Sequence, residues 1–193
     1  MLPAAVGEGL EDHLEAAVRG EEDARDAVVR WCLPRVRRTL FFAYGPLPET
    51  DDLVQETLAR VLRSLATFRI GSRFHVWVDR IAVNVARDHF KARGHRKLFE
   101  YDDSAMAHQP MASARRARET EMDRQRALLH LADHLASLKP DWRIPLVLRH
   151  LHGYTVPEIA AMLEISFEAA KKRLHRGRRE LHNRLQEDPY LAT

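Results

Sequence analysis

The chain has 193 residues, 45% of them apolar and 31% charged, with a net charge of +3 and an isoelectric point near 9.2. This composition supports a hydrophobic core, excludes wholesale disorder, and at this length suits one large or two small domains. No apolar run approaches the roughly 20 residues of a membrane span, acids from Glu8 onward exclude a signal peptide, and a lone cysteine, Cys32, excludes an internal disulfide and fits a reducing cytoplasm.

The charge is unevenly spread. Residues 1–30 hold eight acids against three bases, a local charge of −5, so the basic excess lies further along. Such a distribution suits one surface for nucleic acid and others for protein. A first helix is expected from Leu10 to Val18, ended by Gly20, and a second from Asp23 to Leu40 with Ala27, Trp31 and Val36 inward. Cys32, beside Trp31 on this apolar helix, reads as a small buried hydrophobe. Pro34 within the run predicts a kink or a break. Gly45, Pro46 and Pro48 mark a loop, after which Asp51 or Asp52 is expected to cap a helix from Asp52 to Leu65. Its buried face is Val54, Leu58, Val61, Leu62 and Leu65, which leaves Asp52, Gln55, Glu56 and Arg60 outward.

Thr67 to Arg73 reads as a loop, with Phe68, Arg69 and Arg73 around Gly71. Phe74 to Phe90 is helical again, with Trp77, Ile81 and Val85 on the apolar side and Arg80, Asn84, Asp88 and Lys91 in a polar stripe. Asn84 stands out there, because Asn is a poor helix former. The pattern dissolves after Lys97. Residues 98–125 read as a flexible linker whose second part is compatible with helix, and no internal repeat appears.

Leu128, Leu131, Leu135 and Leu138 restore a helical stripe, closed by Lys139-Pro140. Asp141 is expected to cap the next helix, where Trp142, Ile144, Leu148 and Leu151 pack inward until Gly153. Thr155-Val-Pro-Glu158 forms a capping box, with Pro157 in the first turn where its missing N–H costs little. Ile159, Ala160, Met162 and Leu163 give this short helix an apolar face, and Ser166 caps the next one. That last helix carries an apolar stripe of Phe167, Ala170, Leu174, Leu181 and Leu185. Seven Lys or Arg against three acids between Ser166 and Glu187 give a local charge of +4, the footprint of a phosphate-binding helix. A short helix, a tight turn and a longer basic helix is the helix-turn-helix arrangement, whose second helix enters the major groove.

Together these stretches resemble a known family. Asp51-Asp52-Leu53-Val54-Gln55-Glu56, then Phe68, then Trp77-Val78-Asp79-Arg80-Ile81-Ala82-Val83-Asn84 with Asp88 are similar to domain 2 of an extracytoplasmic-function (ECF) sigma factor of the sigma-70 family. Leu138 to Leu185, with Gly153-Tyr154-Thr155 and Glu158-Ile159-Ala160, resembles that family's domain 4. The resemblance implies an all-α fold of two small helical domains, a region 2 bundle over 10–97 and a region 4 four-helix domain over 126–187, joined by the linker. It implies a cytoplasmic protein that directs core RNA polymerase to promoters, with promoter DNA and an anti-sigma factor as further partners. No enzymatic activity or cofactor is implied.

Carried over residue by residue, the resemblance places Asp52, Gln55 and Glu56 on the β′ clamp of the polymerase, whose β subunit is a further expected contact. The loop Thr67 to Arg73 would cover a pocket for an unstacked base of the −10 element. Phe68 and Asn84 are the candidate pocket residues, since stacking and edge hydrogen bonds suit a single-stranded base. Arg69, Arg73, Arg80, Arg87, Lys91 and Arg93 would meet phosphates there. Lys171, Lys172, Arg173, Arg176 and Arg179 would lie on the −35 duplex, and the acidic linker would pass through the polymerase interior. Two departures matter. Glu164 stands in the turn where the family usually has Gly, which predicts another geometry or a strain of about 1 kcal/mol. The recognition helix opens Ser166-Phe167-Glu168-Ala169-Ala170 in place of a Gly-Thr-Val run, so the promoter sequence does not carry over.

Two other classes fit parts of the sequence. A stand-alone helix-turn-helix regulator would need no polymerase face and would usually dimerise on a palindrome. A metal-dependent nuclease would use Asp51, Asp52 and Glu56, but acids at a helix start are ordinary dipole partners. His130 with His134 has metal-like helical spacing and His150 with His152 lies nearby, but neither pair has a cysteine or carboxylate frame beside it, which favours scattered surface histidines over zinc ligands.

Overall fold

The computed structural model describes residues 10–45, 49–92 and 117–188. The expected domain end at 97, linker residues 98–116, and Arg93 lie outside them. Among the described residues every regular element is helical: α1 (Leu10–Arg19), α2 (Glu22–Tyr44), α3 (Glu49–Ser64), a 3-10 turn (Leu65–Thr67), α4 (Phe74–Ala92), α5 (Ala117–Ala136), α6 (Pro140–Leu151), α7 (Val156–Leu163) and α8 (Phe167–Glu187).

The spine of the N-terminal bundle is α2, against which α1, α3 and α4 pack. Val28, Cys32, Val36 and Leu40 recur every fourth residue and are all fully buried. The expected break at Pro34 does not occur, and one helix runs through it for 23 residues. An interior proline costs about 3 kcal/mol. Burial of Val28, Val36 and Leu40 at about 1.5–3 kcal/mol each outweighs that, and Pro34 itself faces solvent. Burial also pushes the Cys32 thiol up to about 12, so the thiol behaves as a hydrophobe.

The third helix starts earlier than expected, at Glu49, where the Thr50 hydroxyl donates to the Gly45 carbonyl at 2.7 Å. Asp51 and Asp52 therefore lie inside the first turn as dipole partners and not as caps. The inner face includes Leu53 and Thr57 besides Val54 and Val61. In α4 the single apolar stripe gives way to two buried faces. Phe74, Val78, Val85 and Ala86 enter the N-terminal core. Val83 instead joins the core of the C-terminal bundle, with the half-buried Val76 and Phe90 beside it.

The C-terminal bundle comprises α5 to α8. Its first helix already begins at Ala117, inside the expected linker. Asp141 is not the cap of α6, because Pro140 occupies the first turn and Lys139 precedes it. The long α8 crosses α6 closely at Gly177, where a Cβ would come 3.0 Å from Leu146 and 3.1 Å from the Trp142 carbonyl. A side chain at 177 would press Leu146 and the Trp142 carbonyl, so glycine eases that approach.

The two bundles meet directly. Arg143, 1% exposed, donates to the carbonyls of Ala43 (3.1 Å), Tyr44 (3.3 Å) and Leu138 (2.8 Å), and lies over the Phe90 ring. Asp79, fully buried on α4, accepts from Arg35 at 2.7 and 2.5 Å and from the Tyr154 hydroxyl at 2.6 Å. Beside it, His152 Nε2 is 2.8 Å from Thr39 Oγ1, whose hydrogen goes to the Arg35 carbonyl. Every charge and most polar atoms in this interface therefore have a partner, which is the condition for burying them.

Candidate nucleic-acid interface

The helix-turn-helix forms as its sequence dictates. Thr155 Oγ1 accepts from the Glu158 N–H, and the Glu158 carboxylate accepts from the Thr155 N–H at 2.8 Å, closing the capping box. Ser166 caps α8 through the Ala169 N–H at 3.2 Å. Glu164 ends α7 in the left-handed region, φ 57° and ψ 44°, the one non-glycine with positive φ among the described residues. The Ile165 N–H then returns to the Ala160 carbonyl at 3.0 Å, which satisfies the helix end.

This geometry presents Lys171, Lys172, Arg176 and Arg179 to solvent on the outer side of α8, opposite the buried Ala170, Leu174 and Gly177. Lys171, Lys172, His175, Arg176 and Arg178 line a shallow groove of 480 Å³ with Val156, Glu168 and Leu174. Arg173 differs. It turns inward and pairs with Asp141 of α6 at 3.3 Å, so it braces the helix from behind. Phe167, at the start of α8, is exposed.

The second basic surface lies on the N-terminal bundle. Arg69 and Arg73 project from the loop before α4; Arg80, Asn84, Arg87 and Lys91 follow along that helix. The structure brings these residues to one side, but three of them are engaged by the C-terminal bundle. Arg73 pairs with Glu158 and Arg80 with Glu164, each at 2.7 Å, and Arg87 donates to the Leu163 carbonyl at 3.4 Å. The Thr155 N–H, with Arg73 behind it, holds the Glu158 carboxyl down at about 2.

Phe68 corrects the expectation of a base-stacking ring. It is 6% exposed and packs against Phe74 and Trp77 at ring distances of 5.1 and 5.3 Å. An aromatic in a polar loop suggested a platform, yet the ring anchors the loop from below and shows no free face. On α3, Asp52 and Gln55 are exposed. Glu56 is not free as expected, since it accepts from Arg60 at 2.6 Å and Arg63 at 3.3 Å, and the Arg60 contact lowers its pKa. Arg60 also reaches Asp88 at 3.0 Å, fastening α3 to α4.

Sequence reasoning missed the residues that join the bundles: Asp79, Arg143, His152 and Tyr154. A faint signal was present, since Asp79 lies between apolar Val78 and Ile81, where a solvent-facing acid would be out of place. The His130 and His134 pair is not scattered either. Both reach Asp188 at the end of α8, at 3.3 and 2.6 Å, and tie that end to α5.

A helical bundle with one basic face and a capped helix-turn-helix with another define a two-domain DNA-binding transcription factor. The family model for sigma-70 region 2 matches residues 28–96, and that for sigma-70 region 4 matches residues 125–181. The chain is 34% identical over 169 residues to the RNA polymerase sigma factor CarQ of Myxococcus xanthus, covering 87% of this chain and 92% of that one. It is 29% identical over 181 residues to the ECF RNA polymerase sigma-E factor of Escherichia coli K12, covering 90% and 92%. Among solved structures it is similar to CnrH in complex with the cytosolic domain of CnrY, with a TM-score of 0.58, 26% identity, and 92% and 97% of the two chains covered. The fold is also that of RpoE from Bartonella quintana, solved with the anti-sigma factor NepR, at a TM-score of 0.62, 22% identity and 84% and 97% coverage. The chain belongs to the ECF RNA polymerase sigma factors of the sigma-70 family, which are transcription initiation factors. Among the described residues no helix is long and apolar enough to cross a membrane.

Proposed function

We propose how this sigma factor divides its work. Residues 10–97 dock on the β′ clamp of core polymerase and hold the opened −10 element; residues 98–125 link; residues 126–187 bind the −35 duplex and reach the β subunit. The protein acts in the cytoplasm as a specificity factor and is not itself a catalyst. The observation that supports this most is the outer face of α8, where Lys171, Lys172, Arg176 and Arg179 stand exposed beyond a capped turn, on a chain that carries a second, separate basic face. Helices of this kind place their N-terminal half in the major groove.

On the clamp side, Asp52 and Gln55 are exposed on α3 while its apolar residues point inward, so their side chains are available to a partner. Glu56 contributes as the head of an ion-paired group with Arg60 and Arg63. For the −10 strand, Arg69, Arg73, Arg80, Arg87 and Lys91 supply cations and Asn84 an amide, with Phe68 supporting the loop beneath them. CnrH was solved with the cytosolic domain of CnrY and the Bartonella protein with the anti-sigma factor NepR, and we extend an anti-sigma partner to this chain on that likeness.

Run-off transcription with purified core polymerase, on DNA from upstream of the protein's own gene, tests the assignment. Asp52→Arg should weaken core binding by several kcal/mol if the contact is desolvated, while circular dichroism stays that of wild type. Undiminished core binding by the folded variant would overturn the clamp assignment.

A further inference from the structure

The loop before α4 exposes an apolar side chain at its tip. Ile70 is 43% exposed, whereas its neighbour Phe68 is buried against Phe74 and Trp77. A single exposed aliphatic is ordinary on a protein surface, but the setting of this one is not. The Ser72 N–H donates to the Arg69 carbonyl at 3.0 Å, which makes Arg69 to Ser72 a β-turn with Ile70 second in it. Gly71 is third, with φ 85°, the sign a type II turn needs there. A Cβ on Gly71 would meet nothing within 4 Å, so the space over the turn is open.

Turns favour Gly, Pro, Asn, Asp and Ser, so the turn itself gives no reason for a β-branched aliphatic. The side chain is also firmly placed. On one side of the turn the buried Phe68 ring anchors the chain, and the Phe68 N–H donates to the Leu65 carbonyl at 2.9 Å. On the other side the Arg73 carbonyl accepts from the Val76 and Trp77 N–H groups at 3.0 and 3.3 Å as α4 begins. Arg69 and Arg73, both exposed, stand one residue before Ile70 and three after it. An aliphatic apex between two cations can meet a base while the cations meet phosphates of the same strand.

Isoleucine has no hydrogen-bonding group, so it cannot tell bases apart by their donors and acceptors. It can favour an apolar edge, and among the DNA bases thymine displays one in its C5-methyl. Against another base the same contact would cover polar groups with hydrocarbon, which costs free energy. We propose that Ile70 is a base-reading residue of the 67–73 loop and selects thymine in the opened −10 strand through the C5-methyl. This rests on the assignment of that loop to the −10 strand, and it adds a base identity and the side chain that reads it. Phe68 then serves from below, by fixing the turn.

The test uses the full chain assembled with core polymerase. The DNA is a promoter duplex whose −10 region is held open by non-complementary strands, with the non-template bases randomised across the opening. Sequencing of the molecules retained by the holoenzyme reads the preference. The wild type should enrich thymine at one position. Ile70→Ser should lose that enrichment, keep the preferences at other positions, and melt at the wild-type temperature, since nothing buried is lost. Deoxyuridine at that position, thymine without its methyl, should bind the wild type about fourfold more weakly than thymine, the worth of one buried methyl. It should bind Ile70→Ser as well as thymine does. Leu129→Ser, which removes an equally exposed aliphatic from α5, should leave both results as in the wild type.

Thymine enrichment that survives in Ile70→Ser, or a deoxyuridine penalty equal in both proteins, would overturn the proposal. So would enrichment of another base at the position that Ile70→Ser changes. Weaker assembly of Ile70→Ser with core polymerase, at unchanged base preference, would make the residue a protein contact instead. A holoenzyme that transcribes but shows no preference anywhere in the opening would count against the −10 assignment itself, whereas preferences untouched by Ile70→Ser would count against Ile70 alone.

Discussion

Two helices of this sigma factor carry a basic stripe, and the structure treats them differently. On α8 the cations face solvent, and the one that turns back, Arg173, braces α6 through Asp141. On α4 the cations face carboxylates and a helix end from the other bundle. The difference lies in what stands behind each helix. α8 has one apolar side and closes the domain, so its other side stays wet. α4 is apolar on two sides, with Val78 and Val85 in one core and Val83 in the other, so its polar stripe runs along a seam. A basic stripe marks where phosphates can bind, but the neighbours decide whether the site is available.

The largest effect expected from breaking this arrangement is beneath the loop that carries Arg69 and Arg73. Phe68→Ala removes a buried ring from the cluster with Phe74 and Trp77. Core Phe-to-Ala changes cost about 3–5 kcal/mol. Urea denaturation should show that loss, together with impaired promoter opening. Full stability with impaired opening would return Phe68 to the role of a base platform.

That reversal shows what was legible in the sequence and what was not. Helix positions, the capping box, the Ser166 cap and the exposed basic face of α8 all follow from local rules of spacing and hydrogen bonding. Pro34 failed as a breaker because tertiary burial along Val28, Cys32, Val36 and Leu40 overrides a local penalty. Phe68, Asp79 and Arg143 were opaque for a shared reason. Each is settled by residues outside its own local stretch, such as the Tyr154 hydroxyl on Asp79 or the Ala43 carbonyl on Arg143. The outward placement on α3 was legible at Asp52 and Gln55, but the pairing of Glu56 was not, because its partners Arg60 and Arg63 lie one and two turns further along the helix.

A pH effect of intermediate size should sharpen the contrast between the covered face and the free one. Burial in the interface lowers His152 from 6.5 to about 4, against an opposing pull from Asp79 and with Arg35, Arg38 and His75 adding to the decrease. Once the bundles part, the ring is hydrated and its ordinary value returns. Above 6.5 both forms hold it neutral and pH has no influence through this group. As pH falls from 6.5 toward 4 the open form takes up a proton that the closed form does not, so acid favours opening. At pH 5.5 the gain is about tenfold in the opening constant. Iodoacetamide labelling of a thiol placed in the seam by Val83→Cys, at pH 7.5 and 5.5, compared with the same protein carrying His152→Gln, isolates the effect. An equal pH response in both would remove His152 from the seam.

The free surface should respond to salt and not to the ion pairs across the seam. Arg176 is exposed on α8, so Arg176→Ala should weaken duplex binding evenly across sequences and flatten the log–log salt slope by about 1 if it serves one phosphate. The change should be the same with Glu158→Gln and Glu164→Gln present. A dependence on that pair would mean that the two basic surfaces are coupled.

The smallest expected effect comes from Glu164, where local geometry and the seam pull in opposite directions. A left-handed L-residue costs about 1–2 kcal/mol, which glycine avoids. Glycine in turn costs roughly 0.5–1 kcal/mol in backbone entropy. Glu164→Gly should therefore stabilise the helix-turn-helix by less than about 1 kcal/mol and raise its melting temperature slightly. It also deletes the carboxylate that holds Arg80 at 2.7 Å, so the seam should loosen while the domain tightens. Glu164→Asn separates the two: asparagine tolerates the left-handed region but is too short to replace the Glu164 carboxylate at Arg80. If Glu164 is there for the turn alone, both variants should leave labelling of the Val83→Cys thiol at the rate seen without them. If it is there for Arg80, both should speed labelling by the same factor despite their different melting temperatures, and Arg80→Gln should add nothing further to either.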